Sequence, residues 1–447
     1  MHTRQAKVVF LICFISLATL WACRFPKLCI SAGASDDNLH HHGPVQHDLD
    51  LSRADAPFIA WPLARICRET DWVPNLIFVC DNNSGGIGNI RNYILTCLRY
   101  AISAGASGLL MPSIQTRSEE NLSQLFKGRK PLSYFFDEAH FRQSLSRACP
   151  QLSIYDDKKD VPGHLDPIRV ESITPNHYGI RGGCDRRDLN RHVDLFGPRF
   201  RMWFEESASR PVHQYGANSS EPRFIRLNWG VQWNYPVYRD GPEFVATFGS
   251  LLKFRKDILQ LGELIVTAVR GPGGLSHAAT DPSTGYLGIH LRTENDALKR
   301  WPNFTTQTSA YLEKASQSRF RVAYLATGNL TEAARFTALA LSNEQIRVFT
   351  KRDLVQNSSN DLETLDNLTW DQQSIVDFIV LLQSDYFLGV SPSSFSMNVA
   401  LKRNLKYDGL YTRPWKIGDH GNDRSWLVGN YDQYWNDWLF MFDSLWP

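Results

Sequence analysis

The sequence predicts an α/β protein built on parallel sheets. Short apolar runs recur along the chain with helix-length segments between them, the rhythm of strands covered on both faces. The first such run is joined to a helix by a glycine turn, Ser84-Gly85-Gly86-Ile87-Gly88-Asn89. Charged and hydroxyl residues gather where other runs end, at His290–Asp296 and at Ser391–Ser396. In open α/β sheets the carboxyl ends of the strands are where ligands bind.

The 447 residues allow two ordinary domains, and 43% hydrophobic with 12% aromatic residues supports sizeable cores. The net charge of +2, with no basic run and no zinc-finger spacing, argues against a nucleic-acid partner. Residues 1–7 read as a cytoplasmic tail, ending at Lys7. An uncharged apolar run spans Val8 to Cys23. As a helix it rises about 24 Å, enough for a thin bilayer. Ser16-Leu17-Ala18 offers a signal-peptidase site, but the run continues through Leu20 and Trp21, which favours a signal anchor. Residues 24–57 are read as a stem, polar and without apolar period from residue 30 onward. Asp48-Leu49-Asp50 within it spells the metal motif of some glycosyltransferases, yet a flexible stem is no place for a catalytic metal.

Seven sequons begin at Asn82, Asn121, Asn218, Asn303, Asn329, Asn357 and Asn367. Cys29, Cys67, Cys80, Cys97, Cys149 and Cys184 form an even set beyond the apolar run. Both features suit an oxidising secretory lumen, where these cysteines could form three bridges in any of fifteen connectivities. No cysteine or histidine spacing reads as a metal site.

Residues 58–242 are read as the first α/β domain. Leu76–Cys80 is a buried strand. The helix after the glycine turn carries Ile90, Ile94, Leu98, Ala101 and Ile102 on one face, and Leu109–Met111 is the next strand. From 113 to 220 the pattern is irregular. Residues 243–447 are read as the second domain, entered by a helix over Glu243–Leu264. Strands are expected at Leu287–Arg292, Val322–Ala326, Ile346–Phe349 and Tyr386–Val390. Helices are expected at Gln307–Ser316, Thr331–Leu341 and Gln373–Ser384, before an aromatic-rich tail.

The chemistry sits on the strand ends. A glycine turn opening a helix presents free N–H groups and a positive dipole to an anion. This turn lacks the GK[ST] ending of a P-loop and the downstream acid of a nicotinamide fingerprint. His290, Arg292 and Glu294 share the polar face of the strand that begins at Leu287. Arg292 can hold a phosphate in its fork, or be tied to Glu294 or Asp296 as a buried ion pair; the stretch itself leaves both open. Ser393 and Ser394 can cap the following helix or bind phosphate. Asp377, in an apolar helix, needs a partner; Ser374 and Asp377 have capping-box spacing, and a nucleotide base is the other candidate.

Taken together these stretches resemble the GDP-fucose protein O-fucosyltransferase superfamily. Its glycine loop is similar to Gly85-Gly86-Ile87-Gly88-Asn89, and its His-Leu-Arg strand to His290-Leu291-Arg292. Its C-terminal signature is similar to Val376-Asp377, Asp385-Tyr386-Phe387-Leu388-Gly389 and Ser393-Ser394-Phe395. The Arg292-x-Glu294-x-Asp296 spelling resembles the plant and fungal branches. The resemblance implies a GT-B-like architecture, two Rossmann-like domains facing a donor cleft. It implies inverting transfer of fucose from GDP-fucose to a protein hydroxyl, with no metal. Arg292 would hold the diphosphate and act in catalysis; Glu294 is the candidate base, with an orienting role for it or the absence of any protein base as the alternatives. Gly86, Gly88, Asn89, His290, Asp377, Ser394 and Phe395 would complete the donor site, Asp377 reading guanine. The partners so implied are GDP-fucose, a protein or glycan acceptor, and the Golgi or endoplasmic reticulum membrane. Another sugar nucleotide, or a catalytically silent lectin-like scaffold, are the competing readings.

Overall fold

In chain order the first strands are β1 (Val73–Val79), β2 (Ala106–Leu110), β3 (Ser113–Thr116), β4 (Gly128–Pro131), β5 (Ser153–Tyr155), β6 (Val170–Ile173) and β7 (Arg223–Leu227). The second group is β8 (Leu287–His290), β9 (Val322–Ala326), β10 (Arg347–Phe349), β11 (Tyr386–Val390) and β12 (Ser425–Val428). Two five-stranded sheets result, in the orders β5-β2-β1-β7-β6 and β10-β9-β8-β11-β12, with every neighbour pair parallel. Strands β3 and β4 form a separate antiparallel hairpin. The computed structural model describes residues 49–174, 196–208, 221–271, 285–297, 301–318, 320–405 and 423–447. The apolar run 8–23, most of the stem with Asp48, Cys29, Cys184 and the Asn218 sequon lie outside the described residues. Among the described residues no helix is long and apolar enough to cross a membrane.

The helices are α1 (Trp61–Glu69), α2 (Ile87–Ala104), α3 (Glu138–Ala148), α4 (Phe196–Ala208), α5 (Pro242–Phe248), α6 (Lys256–Arg270), α7 (Phe304–Ser316), α8 (Leu330–Glu344), α9 (Lys351–Val355), α10 (Ser359–Asp366), α11 (Trp370–Leu382), α12 (Ser394–Asn404) and α13 (Phe440–Ser444). Their caps follow from sequence. Asn303 and Asn329, both sequon residues, accept from Thr306 N and Glu332 N and so start α7 and α8. Strands β9 and β11 coincide with their expected spans, because a strand buried on both faces is a plain apolar run between turns.

Three expectations are corrected. The helix expected over Glu243–Leu264 is two helices. Gly249–Leu251 tightens into a 3₁₀ turn, and Phe254 leaves the helix to bridge Phe136. The strand from Leu287 stops at His290, so Arg292 and Glu294 come from a loop and not from one strand face. Both faces of β8 are buried, and a charged pair has no room in the middle of a covered sheet. Finally, Ser374 and Asp377 do not cap α11. Its N-cap is Thr369, closed by Gln372, and Ser374 bonds back to the Asp371 carbonyl.

One large apolar core runs through both halves, and smaller clusters cover the far faces of the sheets. The chain also crosses between halves. Trp446 is fully buried against Tyr235, Phe244 and Phe248, and its indole N–H donates to Thr96 of α2. Asn92 of α2 holds Trp446 N and the Ser444 carbonyl. Two disulfides, Cys67–Cys149 and Cys80–Cys97, tie α1 to the residue after α3 and the end of β1 to α2.

Candidate active site

Each sheet has one point where the strand order reverses. In the first it lies between β1 and β7, in the second between β8 and β11. At such reversals α/β sheets form their ligand-binding crevice. All three sequence stretches fall on these points.

After β1, Asp81 is gripped by Arg226 at 2.6 and 2.8 Å and by Arg129 at 2.9 Å. Asn82 Oδ1 accepts from Trp229 N at 2.8 Å, fastening the two sides of the reversal. The fully buried Asn83 holds Ser113 O and Gln115 N. These bonds aim the chain into its turn. Gly85 has φ of 89°, where a Cβ would also meet Asn89 Nδ2 at 2.8 Å. No side chain caps α2 at Gly86, so its amino end faces the crevice with uncompensated N–H groups.

After β11, Ser393 caps α12 by accepting from Ser396 N. This α12 terminus meets that of α2. Ser394 Oγ donates to Asn89 Oδ1 at 2.6 Å, across the two halves. A Cβ added at Gly88 would lie 3.2 Å from Ser394 Oγ and 3.4 Å from Phe395 N, so a larger side chain there would push the two helix ends apart. Two positive helix ends thus converge, the arrangement that favours an anion. Phe395 packs on the His290 ring at 4.7 Å and edge-on to Phe378 at 5.8 Å.

His290 ends β8. Its Nδ1 meets Ser396 Oγ at 2.6 Å, and that hydroxyl accepts from Val390 N. Burial, opposed by Glu294 and aided by Arg292, holds the ring down to about 4, so it is neutral at physiological pH. Arg292 follows on a pinned backbone. Gln307, fully buried on α7, accepts from Arg292 N at 3.0 Å and donates to Arg292 O at 2.9 Å. The guanidinium is bound to Glu294 through Nη1 at 2.5 Å and to Asp296 through Nη2 at 2.7 Å. Both ion pairs left open by the sequence are therefore formed. They use two of five N–H groups, and the side chain keeps 16% of its surface exposed. Burial would lower the Arg292 pKa, but the two carboxylates outweigh it and raise it.

Glu294 is held as an ionised partner of the Arg292 loop. Burial pushes its carboxyl up. Arg292 and the Gly328 N–H, which donates at 2.7 Å, push it down further, and the result is below the ordinary value. A carboxylate held ionised by such partners is a weak proton acceptor. Its geometry is that of an orienting partner for Arg292.

Asp377 is buried on α11. It accepts from Tyr324 OH at 2.6 Å and pairs with Lys351 at 2.7 Å. Its need for a partner is thus met within the protein, while its oxygens retain further lone pairs.

The structure adds residues that sequence reasoning missed. Arg117, just past β3, reaches across to the second half. Its Nε and Nη2 bond Asp371 Oδ1 at 3.1 and 2.9 Å, and Nη1 lies 3.4 Å from Asp296 Oδ2. Its guanidinium lies 4.4 Å from the centre of the Trp370 ring, and a Cβ on Gly86 would sit 3.5 Å from Nη2. Nothing in its polar surroundings, Gln115 to Glu120, marks it out. Gln307 likewise carries no local signal. Among the described residues no group of three histidine, cysteine or acidic side chains is placed to hold a metal ion.

The chain is similar to several solved structures. POFUT1 solved with GDP-fucose is 13% identical over 81% of this chain and all of that one, with a TM-score of 0.43. A mutant of Arabidopsis thaliana FUT1 solved with GDP is 9% identical over 77% of this chain and 71% of its own, with a TM-score of 0.36. The fucosyltransferase NodZ from Bradyrhizobium is 14% identical over 75% of this chain and 93% of its own, with a TM-score of 0.37. No curated protein matches the chain. The model of the GDP-fucose protein O-fucosyltransferase family matches residues 76–406, well over half of the sequence, and takes in the glycine turn, the Arg292 loop and the Ser394 helix start. The chain belongs to the GDP-fucose protein O-fucosyltransferase family.

Proposed function

We propose that this protein is an inverting glycosyltransferase that moves fucose from GDP-fucose to a protein hydroxyl, without a metal, in the lumen of the secretory pathway. The observation that carries the reading is the junction of α2 and α12 at Asn89–Ser394, with two helix amino ends and Arg292 around one crevice. In the reaction an acceptor oxygen bonds to the sugar's C1. The C1–O bond to the β-phosphate breaks, and its electron pair leaves with GDP. Arg292 and the helix N–H groups stabilise the charge that grows on the β-phosphate. Glu294 and Asp296 orient Arg292, and the acceptor proton departs to solvent and not to Glu294. Asp377 reads the guanine edge with its remaining lone pairs, while Ser394, Phe395 and the neutral His290 line the nucleotide. The disulfides support an oxidising compartment. The apolar run 8–23 is assigned as the anchor of a Golgi-resident type II protein.

The test is thermal denaturation with GDP and with UDP, then donor turnover with and without chelator. GDP at about a hundred times its Kd stabilises by roughly 2.7 kcal/mol, and UDP should do far less. Equal shifts sink the donor assignment. A GDP shift without turnover on any acceptor or water leaves a nucleotide-binding scaffold. Loss of turnover in EDTA, restored by Mn²⁺, refutes the metal-free mechanism.

A further inference from the structure

We propose that Arg117 is a positioning residue for the transfer: by holding Asp296 and Asp371 across the cleft, it fixes the Arg292 guanidinium against the donor diphosphate. The inference rests on the donor-site reading of Arg292 given above. Asp296 is shared between two arginines that come from opposite halves. Its Oδ1 takes Arg292 Nη2 at 2.7 Å and its Oδ2 faces Arg117 Nη1 at 3.4 Å. Arg117 is itself immobilised by two bonds to Asp371 and by the Trp370 ring, and its side chain is 7% exposed.

The charges make this arrangement consequential. Two guanidinium groups, Arg117 and Arg292, face three carboxylates, Glu294, Asp296 and Asp371. Without Arg117 the balance beside the crevice becomes one cation against three anions. Asp296 would then lean wholly on Arg292, and a diphosphate would meet a more negative site. Burial pushes the Asp371 carboxyl up, and Arg117 is the group that pulls it back. A lysine could serve Asp371 or Asp296 but not both, because one ammonium cannot span the fork. Arg117 touches neither sugar nor phosphate in this scheme; it acts through Asp296.

The experiment compares the wild type, Arg117→Lys, and the charge-balanced pair Arg117→Gln with Asp371→Asn, each as the full chain. Melting temperature, GDP affinity and the kcat and KM for donor turnover are measured together. The balanced pair leaves no carboxylate at 371 to be stranded, so a purely structural role predicts recovery of everything. We expect it to melt near the wild type, bind GDP about tenfold more weakly and turn over more slowly, with Arg117→Lys shifted the same way. The loss should shrink in an Asp296→Asn background, since the two act through one contact. A balanced pair that melts, binds and turns over like the wild type overturns the proposal. If that pair fails to fold, Arg117→Lys decides: wild-type GDP affinity overturns it and weakened affinity upholds it. Wild-type protein that binds no GDP removes the donor reading itself, and this inference with it.

Discussion

Gly88→Ala should damage function more than stability, and the contact between α2 and α12 supplies the magnitude. The new methyl would lie 3.2 Å from Ser394 Oγ and 3.4 Å from Phe395 N and Ser394 C. Two of these atoms belong to backbone, so the helices must part by about a few tenths of an ångström to restore ordinary contact. Overpacking of this kind typically costs about 1–3 kcal/mol. Stretching the Asn89–Ser394 bond adds about 0.5–1.5 kcal/mol. Against this, alanine in a helix gains about 1 kcal/mol over glycine. The sum is a loss of roughly 0.5–3.5 kcal/mol, or about 1–4 °C in melting temperature for a unit of this size. Displacing catalytic groups by about an ångström can cost 10²-fold in rate, so a smaller shift here should cost roughly tenfold. Calorimetric unfolding, GDP titration and donor turnover on the purified full chain check each part. If Gly88→Ala binds GDP and turns over like the wild type, the two helix ends do not bracket the donor in the working enzyme, and the reasoning fails.

Arg292→Lys keeps the charge but loses the planar fork, and should lower kcat about 10²–10³-fold with a smaller loss of GDP affinity; weakened GDP affinity with kcat unchanged would mean ground-state binding only. Arg292→Ala strands Glu294 and Asp296, so it should also destabilise by about 3–5 kcal/mol, read by chemical denaturation, with Glu294→Gln restoring part of it. His290 is held at about 4, below its unfolded value, so the unfolded chain takes up its proton first as the pH falls. Stability should therefore decline from about pH 6.5 towards pH 4, by roughly 3 kcal/mol in all, and His290→Gln should flatten that slope; an unchanged slope assigns the proton elsewhere. Replacing Cys80 and Cys97 by alanine opens a short loop and should cost about 3 kcal/mol by denaturant titration, whereas a null effect would show that the bridge is not formed in the isolated protein.

The second half was the more legible in sequence, and the reason is physical. Its strands β9 and β11 are continuous apolar runs with sharp ends, and the residues beside them keep their motif spacing. The glycine turn was legible because only glycine tolerates its geometry. Side-chain pairing was not. Asp371 finds Arg117 at a separation of 254 residues, a contact that no local pattern announces. The choice between base and orienting partner for Glu294 was not legible for a related reason. Spacing placed it beside Arg292, but the Gly328 N–H and the depth of burial, which together decide its proton affinity, come from another connection. The break at Gly249–Leu251 was hidden because apolar residues continue through it at helical spacing, while Phe254 is claimed by a distant partner, Phe136.

The burial of Trp446 bears on how the molecule is made. A chain synthesised from its amino end completes β1, α2 and the Cys80–Cys97 loop early, yet the niche between Thr96, Tyr235 and Phe248 stays empty until residue 446 exists. Asn92 waits for the same segment. At about 5–20 residues per second, tens of seconds separate the making of α2 from the arrival of its last packing partner. During that interval an apolar slot lies open on the helix whose amino end forms one wall of the cleft. A nascent chain halted short of Trp446 should therefore bind holdase chaperones while the whole chain releases them.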